Sequence, residues 1–206
     1  MERNIANTDQ LMRRRPIAVA VATLLIAATG LSAQTRSGPV QDIEQAILRL
    51  PYYGPFDAIS VSYDKGTVTL SGYAYALGLS RDAERAVKRV SGVDAVVNKI
   101  EALPASQNDD ELRWRTFYAI YTNSFLSRYA PGAGMLWGHP GGARRAMLMG
   151  LQPIGNYPIH IIVQNGRIRL VGEVDTEADK TMANLEARGV PGSFGVDNQV
   201  TVRRNP

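Results

Sequence analysis

The side chains that most often carry out catalysis or bind metals are few in this chain. The sequence has no cysteine and two histidines, His139 in a Gly/Pro-rich stretch and His160 in a segment of strand character. Neither histidine has an acidic residue or another histidine at metal-ligand spacing. No serine lies in a Gly-x-Ser-x-Gly turn, and the glycine-rich stretch lacks the Gly-Lys-Ser/Thr ending of a phosphate loop. We therefore expect no catalytic residues, no metal site and no cofactor.

Two segments have the composition of a binding surface. The first is the aromatic turn 52–56, with Tyr73 and Tyr75 further along the chain, and core packing is the favoured interpretation of these rings. The second is the glycine-rich stretch 122–157, whose apolar residues and arginines suit a surface of anionic lipid headgroups. The alternative is that this stretch folds over the domain and buries them. The candidate lipid-binding or partner-binding residues are Met135, Leu136, Trp137, Arg144, Arg145, Met147 and Leu148.

These segments belong to a chain that contains the same pattern twice. Residues 59–72 and 159–172 align at an offset of 100 residues, and the alignment continues where 90–98 matches 190–198. Self-similarity at a fixed spacing indicates repeated structural units. Units of about 60 residues have small cores, so we expect the two copies to pack on each other.

The first copy predicts the elements of one unit. Apolar residues at helical spacing predict a helix over 42–50, and alternation in 59–63 and 68–70 predicts two strands. The strands are joined by Lys65-Gly66 in one copy and by Asn165-Gly166 in the other, a strong signal for a tight hairpin.

A second helix and a third strand complete each unit. In the first copy the helix begins near Ser80, which we expect to be its N-cap, and the strand spans 93–100. A strand, helix and strand in series predict a crossover with parallel pairing. The corresponding helices of the second copy are predicted at 110–121 and from Glu177. We expect Asn98 and Asn198 to bind local backbone groups near these strands.

The N-terminus has the pattern of an export signal. Basic residues 12–16 precede an apolar run over 17–31, and Ala33 offers a small residue for cleavage. The alternative is that the run stays uncleaved as an anchor, although 15 residues are short of the roughly 20 that span a bilayer. Either Met1 or Met12 can be the true start.

The positive charge of the chain lies partly in this signal. The chain has 23 basic and 19 acidic residues, and residues 1–33 hold four of the former and two of the latter. Cleavage would leave a net charge of +2. A charge this small, spread over two domains, does not favour nucleic acid as a partner.

With these features assembled, the chain resembles the BON family, which is named after bacterial osmotically induced and nodulation proteins. The matching motifs are 66–72, 82–84 and 90–98 in the first copy, with 166–172 and 177–179 in the second. In the second copy 190–198 continues the match but departs from the pattern at Ser193-Phe194. The resemblance implies an α+β fold of two tandem domains, each helix-strand-strand-helix-strand, with helices packed on a three-stranded mixed sheet. The family has no shared catalytic motif, so fold analogy limits what it implies about function.

The predicted organisation assigns a segment to each part of the chain. Those segments are a signal peptide at 1–33, a tail at 34–40, domain 1 at 41–102, a linker at 103–108 and domain 2 at 109–203, with an insertion at 122–157.

The resemblance, together with the export signal, also implies a function. We expect a non-enzymatic periplasmic protein, peripherally associated with the outer membrane, whose domains bind anionic phospholipid or the membrane surface and support envelope integrity or stress tolerance. The alternative is a periplasmic module that binds or scaffolds an envelope protein.

Overall fold

The computed structural model describes residues 38–131 and 152–204, which form two domains of the same architecture. Within these ranges no helix is long and apolar enough to cross a membrane. Domain 1 comprises α1 (Pro39–Leu48), β1 (Ala58–Asp64), β2 (Thr67–Ala74), α2 (Leu79–Val87) and β3 (Ala95–Ala102). Domain 2 comprises α3 (Gln107–Tyr121), a short 3-10 helix (Ser127–Tyr129), β4 (Ile159–Gln164), β5 (Arg167–Val174), α4 (Glu177–Arg188) and β6 (Gly195–Val202).

Each domain contains a three-stranded mixed sheet. The strand order is β1-β2-β3 in domain 1 and β4-β5-β6 in domain 2. The first two strands of each sheet are antiparallel, and the last two are parallel because a helix connects them. The predicted α+β fold and the parallel pairing after the crossover helix are both confirmed.

The hairpins adopt the turn geometry that the sequence predicts. Lys65 and Gly66 have φ values of 44° and 84°, and Asn165 and Gly166 have values of 51° and 72°. Positive φ at both central residues defines a turn whose twist matches that of the flanking strands. These turns fix the register in which Val61 pairs with its partner on β2 and, one copy later, Ile161 with its partner on β5.

The helices cover one face of each sheet. In domain 1 the core joins residues of α1 and α2 to alternate residues of β2, and in domain 2 α3 and α4 cover the sheet in the same way. Alternation along a strand places such residues on a single face. The domain 1 core includes Ile43, Ile47, Val68, Leu70, Leu79, Ala83 and Val87.

An asparagine on the third strand ties the crossover helix to the sheet in both domains. Asn98 donates to the Ser80 carbonyl at 3.0 Å and accepts from the Ile100 N–H at 3.0 Å. Asn198 likewise donates to the Lys180 carbonyl at 3.1 Å. The expectation that these residues bind local backbone groups is confirmed.

The predicted role of Ser80 as an N-cap is wrong. Helix α2 begins at Leu79, its N-cap is Gly78, and no side chain caps it. The Ser80 hydroxyl is instead engaged with Asn98, whose Nδ2 donates to Oγ at 3.0 Å. The Ser80 hydroxyl therefore bonds Asn98 on β3 and does not cap the N-terminus of α2.

Other element boundaries differ by a few residues from the sequence-based expectation. Helix α1 begins earlier, at Pro39, because proline suits the first helical position. Helix α3 begins at Gln107, inside the segment predicted as a linker, because the Ser106 side chain accepts from the Asp109 N–H. Strand β3 begins at Ala95, after the backbone has bonded to the hairpin turn at the Gly66 carbonyl. The helix predicted from Glu177 begins at that residue.

Two glycines that both have a positive φ lie in different surroundings. Gly172 has a φ of 128°, and a Cβ at this position would lie 1.9 Å from the Pro158 oxygen. Gly78 has a φ of 83° and no other residue's atom near such a Cβ. We expect Gly172→Ala to lower the free energy of unfolding by roughly 2–5 kcal/mol, and Gly78→Ala by only about 1–2 kcal/mol. Equal losses in urea denaturation would contradict the steric explanation.

Candidate functional site

The two domains are joined by a seam. Residues 53–57, which connect α1 to β1, form one side of it, and the outer edge of β4 forms the other. The Ile161 N–H donates to the Pro55 carbonyl at 2.6 Å, and the Gly155 N–H donates to the Tyr53 carbonyl at 3.0 Å. The first bond gives a partner to the outer edge of β4, and the second binds the segment that precedes β4 to the same turn. The expected contact between the two copies is therefore confirmed.

Phe56 belongs to domain 1 in sequence and to domain 2 in packing. Its side chain is 2% exposed and lies in the core cluster of domain 2. Its ring makes edge-on contacts with Trp114 and Phe117 of α3, at centroid distances of 5.4 and 5.9 Å. It also packs edge-on against Tyr75 at 5.6 Å. Aromatic contacts of this geometry add to the stabilisation from burial.

Next to Phe56, the carboxylate of Asp57 organises the backbone of the seam. It is 2% exposed and accepts three N–H bonds, from Gly54 at 3.1 Å, Tyr75 at 2.7 Å and Ala76 at 3.3 Å. Burial raises the pKa of Asp57 to about 6, although the three bonds oppose the shift. The carboxylate thus holds the turn 54–57 against the end of β2.

Arg113 of α3 places a second charge in the seam. Its side chain is fully buried, its guanidinium lies 4.7 Å from the ring centroid of Tyr75, and Nη2 donates to the Val163 carbonyl at 2.7 Å. Nη1 forms an ion pair with Asp110, while Nε has no hydrogen-bond partner within residues 38–131 and 152–204. Burial lowers the pKa of Arg113 from its usual value.

His160 contacts the same segment from β4. Its Nδ1 lies 3.3 Å from the Gly54 carbonyl, and its ring lies 5.5 Å from that of Tyr53. Burial lowers the pKa of His160 to about 4, so the ring is neutral near pH 7. Since a neutral ring can donate from one nitrogen only, bonding to the Gly54 carbonyl requires the proton on Nδ1. No cluster of three or more metal-ligating side chains occurs in residues 38–131 and 152–204.

The seam explains most of the aromatic turn that the sequence singled out. The interpretation as packing is confirmed for Tyr53 and Phe56, which are buried, while Tyr52 is 60% exposed. Tyr75 contacts Arg113 and Phe56, and Tyr73 contacts Arg169 of domain 2 with its hydroxyl 3.3 Å from Nη1.

The seven candidate residues of the insertion lie outside the described residues, but both ends of the surrounding stretch are described. A Cβ on Gly155 would lie 3.5 Å from Pro131 Cγ, so two described residues on either side of 132–151 lie close together. Residues 153–155 also contact the aromatic turn, since a Cβ on Gly54 would lie 2.2 Å from the Pro153 oxygen. The C-terminal end of the glycine-rich stretch 122–157 therefore lies against the aromatic turn 52–56.

Sequence reasoning missed Asp57 and Arg113, which form the polar part of the seam. Arg113 stands between Leu112 and Trp114 in a helix, where a charged residue is normally read as solvent-exposed. Asp57 precedes a strand, where an acidic residue is an ordinary turn residue. Asp57 accepts bonds from the far end of the hairpin, and Arg113 bonds the distant Val163 carbonyl, so a local pattern marks only the spacing of Arg113 from Asp110.

The fold and the seam define a class: a tandem duplication of a two-layer α+β domain, docked into one unit. The family model for the BON domain matches residues 40–104 and 144–204, and the chain belongs to the BON-domain family. BON domains are generally non-catalytic and are common in envelope-associated proteins.

Comparison with other proteins adds little to the family assignment. No curated protein sequence matches the chain. Among solved structures, the chain is similar to CdsD, a structural protein of the type III secretion system of Chlamydia trachomatis, with 17% identity and a TM-score of 0.25. That match covers 80% of this chain and 91% of the chain in that solved structure. The C-terminal domain of CdsD matches with 14% identity and a TM-score of 0.24, covering 80% and 97%.

Phe56 leads to a prediction about the joint between domains. We expect Phe56→Ala to lower the free energy of unfolding by about 3–5 kcal/mol, because it leaves a cavity between α3 and the seam. Phe125→Ala is the matched control. Because Phe125 is 61% exposed, this substitution should change the free energy of unfolding little. Urea denaturation of both variants tests this, and similar midpoints would contradict the assignment of Phe56 to the domain 2 core.

Asp57 and His160 lead to a prediction about pH. The pKa of Asp57 is about 6 against an ordinary 3.8, so its contribution to stability is complete below 3.8 and is lost as the pH rises to 6. The pKa of His160 is about 4 against 6.5, so its contribution is complete above 6.5 and is lost as the pH falls to 4. Between pH 4 and 6 the two effects oppose each other.

Removing either titratable group should therefore reveal the pH dependence of stability that the other group contributes. We expect Asp57→Asn to steepen the loss of stability on acidification from pH 6 to pH 4 by about 3 kcal/mol relative to wild type. His160→Asn, whose amide can keep the bond to the Gly54 carbonyl, should have the opposite slope. Urea denaturation at fixed pH values measures both. Parallel pH profiles for the three proteins would rule out the opposed titrations.

Proposed function

We propose that this chain is a periplasmic protein that binds anionic phospholipid at a membrane surface and supports envelope integrity under stress. The proposal builds on the membership of the BON family and on the sequence of the N-terminus, which has the pattern of an export signal. In this proposal the mature protein stays peripherally associated with the outer membrane.

The observation that supports membrane contact is the composition of the surface at the base of the insertion. Tyr52 and Ile154 are 60% and 50% exposed, and each is next to a residue in the contact between the aromatic turn and segment 153–155. Exposed apolar side chains close to one another mark interaction surfaces more often than scattered ones do.

The insertion itself supplies the matching chemistry. Between its adjacent ends the chain carries three classes of side chain that suit a membrane interface: an indole, flexible apolar side chains and arginines. In the proposal, apolar residues enter the headgroup region and the guanidiniums contact lipid phosphates. The residues are Met135, Leu136, Trp137, Arg144, Arg145, Met147 and Leu148.

Co-sedimentation with vesicles tests the proposal. We expect the mature protein to bind vesicles that contain phosphatidylglycerol and to bind phosphatidylcholine vesicles much less, with affinity falling as salt is raised. The triple variant Trp137→Ala, Arg144→Ala, Arg145→Ala should bind at least about tenfold more weakly, because it removes an aromatic anchor and two charges.

A control variant distinguishes the loss of a specific site from the general effect of removing two positive charges and a ring. Phe194→Ala with Arg89→Ala and Arg188→Ala removes an exposed ring and two exposed arginines elsewhere, and it should bind vesicles as wild type does. If intact mature protein binds no vesicles, the lipid proposal is wrong. If both triple variants lose affinity equally, the insertion is not the site.

The second candidate function is a protein-binding module of the envelope. Strands β3 and β6 each end their sheet, so each offers one edge to a partner strand. Affinity capture from an envelope extract distinguishes the two functions. One stoichiometric protein partner, with no vesicle binding, would favour this candidate.

A further inference from the structure

The outer faces of the two sheets, on the side away from the helices, differ sharply although the domains are copies. On the inner face, Leu70 corresponds to Leu170, and Asn98 corresponds to Asn198. On the outer face four adjacent positions change together, and three of the changes introduce a charged side chain. The pairs are Thr67 and Arg167, Thr69 and Arg169, Ala95 and Gly195, and Val97 and Asp197.

In domain 2 the three charged residues of this set, Arg167, Arg169 and Asp197, line an open bay of about 410 Å³. Ile162 forms an apolar wall and is 2% exposed. The amide side chains of Gln164 and Asn165 line the bay beside Arg167 and Arg169. Two guanidiniums and two amides give one small concavity many hydrogen-bond donors.

Arg169 is held in place by groups on both sides. Its Nε donates to Asp197 Oδ2 at 3.2 Å, and its Nη1 donates to the Tyr73 hydroxyl at 3.3 Å. Its guanidinium lies 5.7 Å from the centre of the Tyr73 ring. The bond with Tyr73 raises the pKa of Arg169, so this residue is a fixed cation at any physiological pH. Fixing the guanidinium in advance reduces the entropy lost when an anion binds.

Arg167 differs from Arg169 in having its donors free. It is exposed and has no ion pair or side-chain hydrogen bond to any residue of 38–131 or 152–204. Its guanidinium lies over β6, since a Cβ on Gly195 would be 3.4 Å from Arg167 Nη1. Domain 1 has alanine at the position of Gly195.

We propose that this bay binds the phosphate group of a phosphomonoester or phosphodiester. Arg167 supplies a free planar fork for two phosphate oxygens, and Arg169 supplies a second, fixed cation. With Asp197 the bay carries a net charge of +1, which suits an anionic group more than a cation or an apolar ligand. The site is separate from the insertion and does not depend on the lipid proposal.

The duplication provides the variant that tests this site. Arg167→Thr with Arg169→Thr installs the two residues that domain 1 carries at the same register, so the sheet should accept them. We expect glycerol 3-phosphate, titrated by NMR at constant ionic strength against chloride, to bind wild type saturably and to bind this variant at least about tenfold more weakly. The single variant Arg167→Thr should show most of the loss while leaving the contact between Arg169 and Tyr73 intact.

A control and a second ligand complete the test. Arg89→Thr with Arg188→Thr removes two exposed arginines elsewhere and should bind glycerol 3-phosphate as wild type does. Phosphatidylglycerol vesicles distinguish the source of the phosphate. Weaker vesicle binding by the bay variant would assign a lipid headgroup, and unchanged vesicle binding with lost glycerol 3-phosphate binding would assign a soluble phosphate. If neither ligand distinguishes the bay variant from wild type, the proposal is overturned.

Discussion

The docking of residues 53–57 onto domain 2 determines how this chain is built. One turn of domain 1 supplies a backbone partner for the edge of β4, a ring for the core beneath α3, and a carboxylate that fixes its own conformation. A small domain exposes a large share of its surface and gains most from such exchange. The two copies are therefore not structurally independent, because part of the core of domain 2 comes from the sequence of domain 1.

The buried charge of Arg113 adds little net stability to the seam. Transferring Arg113 from water into a buried site costs free energy that one ion pair, one carbonyl and one ring only partly offset. An apolar side chain of similar size would fill the space without that cost. The Asp110 carboxylate and the Val163 carbonyl both belong to domain 2, whereas the Tyr75 ring is supplied by domain 1. The guanidinium therefore favours a docking that keeps the Tyr75 ring against it.

The sequence was sufficient for those parts of the fold that depend on local chemistry. Asn165-Gly166 predicted a hairpin because both residues tolerate positive φ, and the spacing of Ile43 and Ile47 predicted one face of α1. Prediction from sequence failed where a residue had two possible partners. Ser80 is the example, since its hydroxyl bonds Asn98 rather than the helix terminus. The sequence could not reveal the bonds of Asp57 to Tyr75 and Ala76 or of Arg113 to Val163, because these partners lie far along the chain and no periodicity links them.

Comparing the copies separates what the fold requires from what the chain has acquired. Leu70 and Leu170 fill the same core position, so selection for packing explains them. Thr67 and Arg167 occupy the same register on a face that packing does not constrain, so packing gives no reason for the arginine. Because Tyr73 of domain 1 holds the neighbouring Arg169, the outer face of domain 2 also depends on the seam. Docking thus does more than stabilise two small cores: it positions the side chain of one copy to organise a charged surface on the other.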